Sequence, residues 1–190
     1  MTTQGYTHPE FLVDAAWVDG HKGDANVVVV DCDVDAGYNR GHIPGAVMVP
    51  DNFEKNPDTG RVHIMSPEQF AAMCQGLGIG DDTLVVTYDN AQGLTAARLW
   101  WALNYYGHTN VKVLNGGWRR WVTEGHKVDF TRPNANTGSR GDRHRGFDWL
   151  RGDPQPADLH DYHCGPRLRS CPGRDRDGHT SRSTRPTLQL

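Results

Sequence analysis

The chain has 190 residues and a formal net charge of −3, with 20 Lys and Arg against 23 Asp and Glu. This length suits one domain of ordinary size, with or without an appendage, and no apolar run is long enough for a membrane helix. The N-terminal residues lack the basic start and apolar core of a signal peptide, so we expect a cytoplasmic protein. Four cysteines, at positions 32, 74, 164 and 171, follow no disulfide framework, and we expect them to be reduced.

The composition changes abruptly near Ser139. Residues 1–138 hold 10 Lys and Arg against 16 Asp and Glu, whereas residues 139–190 hold 10 Arg against 7 Asp. The second part contains no Lys, Glu, Val, Ile, Met or Asn. Such a segment buries too little apolar surface to offset the entropy lost on ordering, so we predict a disordered tail.

Patterns typical of strands and helices alternate before this break. The strand patterns cover Val27–Asp31, Thr83–Tyr88 and Val111–Leu114, and the helical patterns cover Ser66–Leu77, Leu94–Tyr106 and Trp118–Thr123. Ser66 is a suitable N-cap, since Pro67 follows it and Gln69 stands at the capping-box position. This order predicts an α/β fold with a parallel central sheet covered by helices.

The segment GYNRGHIPGAVMVP, from Gly37 to Pro50, contains a short helical turn, a tight turn and a short strand. Two glycines and a proline within five residues demand a fixed turn. Its histidine, His42, is either an acid, base or ligand, or a residue that pins the turn by hydrogen bonds to neighbouring backbone. We favour the second interpretation, because no carboxylate or cysteine is spaced around His42 as in a catalytic or metal site.

Asp89 ends the strand pattern Thr83–Tyr88 and precedes a short loop that leads into a helix. The first backbone N–H groups of a helix have no partner within the helix, so such a loop is suited to hold an anion or a reactive nucleophile. Asp89 is therefore either a catalytic carboxylate or a structural cap.

Three segments carry a common signal: the turn YNRGHIPGA, the run VVTYDNAQGLTAARLWWALNYYGHTNVKV and the turn LNGGW. Together they resemble the rhodanese domain, specifically the N-terminal half of a tandem-domain thiosulfate sulfurtransferase. The resemblance covers roughly residues 10–130 and implies a rhodanese-like domain of three layers there. Residues 131–190 would then be a linker and a disordered tail rich in Arg, Gly and Pro. The resemblance implies no metal and no other cofactor.

The resemblance also implies a chemistry that Asp89 cannot perform. In active members a Cys occupies this strand end, and the loop N–H groups and the helix dipole lower its pKa. The thiolate takes the sulfane sulfur of thiosulfate as a persulfide and passes it to cyanide or a thiol. A carboxylate has no sulfur for such a bond, so we interpret Asp89 as the permanent occupant of the anion site. The equivalent loop consists of Asp89, Asn90, Ala91, Gln92, Gly93 and Leu94.

Other positions that match the family have structural roles according to the resemblance. They are Tyr38, Gly41, His42, Pro44, Gly45, Gly116 and Gly117. In tandem members the working Cys belongs to a second rhodanese domain, which we expect to be the natural intramolecular partner. The motifs do not recur after Thr137, where an Arg-rich tail begins.

The alternative to a weakly active or inactive sulfurtransferase is a non-catalytic binding or regulatory module. A phosphatase on a related fold is a weaker alternative. The tail itself has the composition of a GC-rich gene read in the wrong frame, a hypothesis that the reading frame around codon 139 tests. We expect no membrane partner and no specific nucleic-acid partner, since Asp residues intersperse the Arg residues of the tail.

The remaining cysteines and histidines carry weaker signals. We expect Cys32 and Cys74 to be core residues, because a buried Cys behaves as a small hydrophobe. In the tail, His160, His163, Cys164 and Cys171 follow no usual zinc-ligand spacing. HCGPRLRS also departs from the phosphatase pattern His-Cys-x5-Arg, since Ser170 stands where the Arg should be.

Overall fold

The structure is a computed structural model, and it describes residues 5–51, 53, 55, 56, 58 and 64–131. The tail, with the zinc, phosphatase and disorder predictions made for it, lies outside these residues. Within the described part of the chain, no helix combines the length and the apolar character that a membrane span requires.

The described residues form a five-stranded parallel sheet in the order β1-β5-β4-β2-β3. The strands are β1 Leu12–Val13, β2 Val27–Asp31, β3 Val47–Met48, β4 Leu84–Tyr88 and β5 Val111–Leu114. The helices are α1 Ala15–His21, α2 Asp35–Arg40, α3 Pro67–Gly76, α4 Leu94–Tyr105 and α5 Gly117–Thr123. The predicted α/β fold with a parallel central sheet is confirmed, and the predicted strand and helix bounds agree with the structure within one residue.

Apolar side chains fill the space on both faces of the sheet. On one face α3 and α4 pack on the sheet, and Phe70, Leu99 and Leu103 are buried there. On the other face lie Val18 of α1 and Trp121 of α5. All five residues of β2 are buried, as the unbroken β-branched run predicts for a strand covered on both sides. The domain therefore has three layers.

Local sequence signals account for the start of α3. The Ser66 hydroxyl accepts the N–H of Gln69, and the Gln69 side chain accepts the N–H of Ser66 in return, which completes the predicted capping box.

The elements β1 and α1 were not predicted from the sequence. A two-residue strand carries no measurable periodicity, and Asp14, which caps α1 by accepting the N–H of Trp17, precedes a helix of only seven residues.

The register of the central strands positions the candidate site. β2 and β4 pair in parallel, with Asp31 beside Tyr88 at their carboxyl ends. The chain continues from there into Asp33 on one strand and Asp89 on the other. Because the carboxyl ends of parallel strands meet at one edge of the sheet, both acidic segments and the turn of α5 come together at that edge.

Candidate anion cradle at the carboxyl edge of the sheet

The Asp89 side chain is buried at the junction of β4 and α4, with only 2% of the residue exposed. Its Oδ1 atom accepts the N–H groups of Ala91 at 3.0 Å and Gly93 at 2.7 Å. Its Oδ2 atom accepts the N–H groups of Thr95 at 2.8 Å and Ala96 at 2.9 Å, and the Thr95 hydroxyl at 2.9 Å. Five donors therefore converge on one carboxylate.

Two of these donors belong to the first turn of α4, where backbone N–H groups have no partner within the helix. The positive end of the helix dipole also faces Asp89 at this point. Hydrogen bonds to an ionised acceptor are about twice as strong as neutral ones. Asp89 lies at the end of the preceding strand and accepts N–H groups at the start of α4. This is the contact that the cap interpretation of the residue expects.

The backbone of the loop aims its N–H groups inward. Gln92 has φ +61° and Gly93 has φ +89°, so two successive residues adopt the left-handed conformation. Gln92 is the one residue other than glycine with positive φ in the described part of the chain. A non-glycine residue pays about 1 kcal/mol for this conformation, and turns of this kind gather N–H groups into an anion-binding concavity. The carboxylate of Asp89 fills that concavity.

The Gly116-Gly117 turn holds the same loop from the other side. The N–H of Trp118, at the start of α5, donates to the backbone oxygen of Asp89 at 2.9 Å. A Cβ atom added to Gly117 would lie 2.3 Å from that oxygen. The second glycine of the LNGGW motif is thus required by the close approach of two backbones.

The turn Ile43–Ala46 closes with a hydrogen bond from the N–H of Ala46 to the oxygen of Ile43 at 2.9 Å. Pro44 occupies the second position, and Gly45 occupies the third with φ +79°. This is the arrangement of a type II turn, in which Pro presets the first central φ and Gly permits the positive one. The Tyr38 hydroxyl donates to the oxygen of Ala46 at 2.7 Å and fastens the turn to α2.

His42 is a structural residue of this turn, in agreement with the favoured interpretation. Its Nδ1 atom lies 3.0 Å from the backbone oxygen of Tyr38, and its ring stacks on the Tyr38 ring at 3.8 Å. The backbone of His42 exchanges two hydrogen bonds with Asp129. Gly41 is needed here because an added Cβ would lie 2.8 Å from the side chain of Val128.

Two carboxylates on β2 and its extension were not singled out from the sequence. The Asp31 residue is 1% exposed, and its Oδ2 atom accepts the Tyr88 hydroxyl at 2.6 Å. Asp33 accepts the N–H of Asn90 with both oxygens at 3.1 Å, so it holds the first residue of the loop. The signal that could have found them is their position at and just beyond the end of a strand that neighbours β4 in a parallel sheet.

Burial is the main cause of the raised pKa values of Asp31 and Asp33. It raises the pKa of Asp31 to about 6, against the lowering effect of its hydrogen bonds from Tyr88 and from the N–H of Asp33. Burial also raises the pKa of Asp33. Desolvation disfavours the charged form of a carboxyl group, so both acids bind their protons more tightly than exposed ones.

The two described cysteines are core residues, as expected. Cys32 and Cys74 are buried free thiols. Burial raises the pKa of Cys32 well above its ordinary value, and the charges of Asp31 and Asp89 act in the same direction. Burial likewise raises the pKa of Cys74 to about 12. Since only the thiolate is a nucleophile, neither residue is poised for sulfur chemistry.

Comparison with known proteins agrees with this architecture. The Rhodanese-like domain family matches residues 14–124. The chain is 38% identical over 135 residues to the "Sulfur carrier protein TtuD" of Thermus thermophilus, covering 70% of this chain and 47% of that protein. It is 38% identical over 124 residues to the "Putative thiosulfate sulfurtransferase SseA" of Mycobacterium tuberculosis, covering 65% of this chain and 41% of that protein. The aligned segment thus spans less than half of either curated relative.

Solved structures show the same fold. The crystal structure of SseA from Escherichia coli, a 3-mercaptopyruvate sulfotransferase, matches with a TM-score of 0.60 and 26% identity over 65% of this chain and 51% of that chain. The crystal structure of YnjE matches with a TM-score of 0.57 and 28% identity over 67% of this chain and 32% of that chain. The family match, the relatives and the parallel sheet all agree. The chain therefore belongs to the rhodanese family.

Proposed function

We propose that this domain is the non-catalytic half of a rhodanese-family sulfurtransferase, with Asp89 standing where active members carry the sulfur-accepting Cys. The observation that carries the proposal is the convergence of five donors on the Asp89 carboxylate. Such a cradle suits a thiolate or a persulfide, since both are anions presented at the end of a strand.

The reaction of the family explains why a carboxylate at this position cannot transfer sulfur. A thiolate attacks the sulfane sulfur of thiosulfate, the S–S bond of thiosulfate breaks, sulfite leaves and a persulfide remains. Cyanide or a thiol then takes the outer sulfur, and the electron pair of the persulfide bond returns to the Cys. The carboxylate of Asp89 has no sulfur to take part in either step. In the described part of the chain, Cys32 and Cys74 are too deeply buried to replace it.

We further propose that the partner of this domain is a catalytic rhodanese domain. The relatives named thiosulfate sulfurtransferase or sulfur carrier protein are more than twice as long as the aligned segment. Two apolar side chains beside the loop support a docking role for this edge. Leu94, at the end of the loop, is 74% exposed, and Val34, next to Asp33, is 64% exposed. Exposed apolar side chains can form an interaction site where they make a contiguous patch.

The same two side chains favour a second candidate function, a binding or regulatory module that moves no sulfur. In that case the loop is a docking surface alone. Leu94→Glu should then weaken association with a separately produced catalytic rhodanese domain, measured by titration calorimetry. Val122→Glu is a matched control, because Val122 is also exposed but lies on α5. Equal effects of the two substitutions would contradict a docking role for Leu94.

Thiocyanate formation tests the catalytic part of the proposal. The purified full chain is mixed with thiosulfate and cyanide, and we expect no turnover above that of a protein-free mixture. Robust turnover would overturn the proposal. Turnover that disappears in a Cys164→Ser variant would assign the activity to the tail, and turnover that persists would assign it to another group of the chain.

A further inference from the structure

Asp31 is an acidic group at which three segments of the domain meet. It ends β2, pairs with Tyr88 of β4 in the sheet and is 1% exposed. Its Oδ2 atom accepts the Tyr88 hydroxyl at 2.6 Å, and its Oδ1 atom accepts the N–H of Asp33 at 2.9 Å. The oxygen of the same Tyr88 hydroxyl accepts the N–H of Ile43 at 3.1 Å. A continuous chain of hydrogen bonds therefore runs from β2 through β4 to the turn Ile43–Ala46.

Among the described residues, no Lys or Arg forms an ion pair with Asp31. The titratable groups that face it are Tyr88 from β4, Asp33 from its own segment, Tyr38 from α2 and His42 from the turn. Cys32 follows it in the chain and is uncharged in this setting. A buried carboxylate without a cation bears a large desolvation cost.

The two protonation states of Asp31 make different hydrogen bonds. An ionised carboxylate only accepts, so the single hydroxyl proton of Tyr88 points at Asp31 and the Tyr88 oxygen remains open to the N–H of Ile43. A protonated carboxyl carries a donor of its own. If Oδ2 bears that proton, Asp31 donates to Tyr88, and the Tyr88 oxygen then receives two donors and must turn its own proton elsewhere.

We propose that Asp31 is a proton-operated link that couples the turn Ile43–Ala46 to the carboxyl ends of β2 and β4. In the ionised state Asp31 accepts from Tyr88, and in the protonated state this hydrogen bond reverses. The second branch of the link reaches the Asp89 loop, because the N–H of Asp33 bonds to Asp31 while the Asp33 carboxylate holds the N–H of Asn90. The link is independent of any sulfur chemistry at Asp89.

Nuclear magnetic resonance of the full chain tests the link. Spectra recorded from about pH 4 to about pH 8 follow the Asp31 carboxyl carbon and the backbone amides of Ile43 and Asp33. We expect all three signals to move together, with the pKa of Asp31 near the value of about 6 that its burial produces. An Asp31 carboxyl that titrates at the ordinary aspartate value would overturn the proposal.

Two variants separate this link from other titrations in the turn. Asp31→Asn should abolish the common transition at Ile43 and Asp33, since the amide does not titrate. Tyr88→Phe should abolish it at Ile43 and keep it at Asp33, because only the first branch passes through the hydroxyl. Persistence of the Ile43 transition in Asp31→Asn would assign it to a group other than Asp31 and refute the link. If Tyr88→Phe does not fold, the comparison of Asp31→Asn with the wild-type chain still decides the question.

Discussion

At the scale of single residues, the Asp89 carboxylate satisfies five donors that are buried or partly buried. Four are backbone N–H groups and the fifth is the Thr95 hydroxyl. A carboxylate has two oxygens and about four acceptor positions, so these five donors use its whole accepting capacity. A thiolate offers a single atom in their place. The Asp that we propose in place of the family Cys therefore exchanges reactivity for five hydrogen bonds that hold the loop.

Asp89→Ala should lower the free energy of unfolding by about 3 kcal/mol, because it leaves several buried donors unpaired. Sulfate or thiosulfate in the buffer should recover part of this loss by occupying the vacated cradle. Thermal unfolding with and without each anion is the measurement. Asp24→Ala, at an exposed aspartate, is the control and should respond little. Equal anion effects on both variants would contradict a cradle.

At the scale of elements, the loop depends on contacts from helices and turns that are distant in sequence. The start of α5 approaches the backbone oxygen of Asp89 through Gly117, and the extension of β2 holds Asn90 through Asp33. These contacts fix the loop on both sides. The positive φ of Gln92 is retained because the surrounding hydrogen bonds outweigh its cost.

Gly117→Ala should destabilise the domain by about 3 kcal/mol or more, since the added Cβ collides with a backbone oxygen that cannot move aside. Gly125→Ala is the matched control. Gly125 also has positive φ, +78°, but an added Cβ meets nothing within 4 Å. It should cost about 1 kcal/mol, the conformational penalty alone. Chemical denaturation of both variants measures the difference, and equal losses would refute the close-approach argument.

Prediction from sequence succeeded for elements with strong local signals. The unbroken valine run of β2 and the capping box of α3 each determine their element through neighbouring residues. The elements β1 and α1 were not predicted. The two-residue strand β1 is stabilised only by pairing with β5, a contact that local sequence does not encode, and α1 has only seven residues. The site was foreseen in part: the loop at Asp89 followed from its pattern, whereas Asp31 and Asp33 required knowledge of which strands are neighbours.

At the scale of the whole molecule, Asp31 makes stability depend on pH. Its folded-state pKa of about 6 exceeds the ordinary value of 3.8, so the folded state binds this proton more tightly than the unfolded state. The stabilisation by proton binding is complete below the ordinary value and is lost as the pH rises through the folded-state value.

Between about pH 4 and pH 7, the wild-type chain should lose about 2 kcal/mol of unfolding free energy relative to Asp31→Asn. Titrating groups without electrostatic coupling to Asp31, among them the buried His108 with its lowered pKa, cancel in this comparison because both proteins contain them. Urea denaturation at a series of pH values is the measurement. Parallel stability profiles for the two proteins would show that Asp31 does not take up the proton.

For the whole domain, our proposal is that it keeps the cradle of a sulfurtransferase but lacks the atom that would receive sulfur. Intact-protein mass spectrometry after treatment with thiosulfate tests it most directly, on the wild-type chain and on Asp89→Cys. We predict no added sulfur on residues 14–124 of the wild-type chain and one added sulfur at position 89 of the variant, removable by cyanide. A persulfide on this domain of the wild-type chain, or a folded Asp89→Cys variant that takes up no sulfur, would contradict the account.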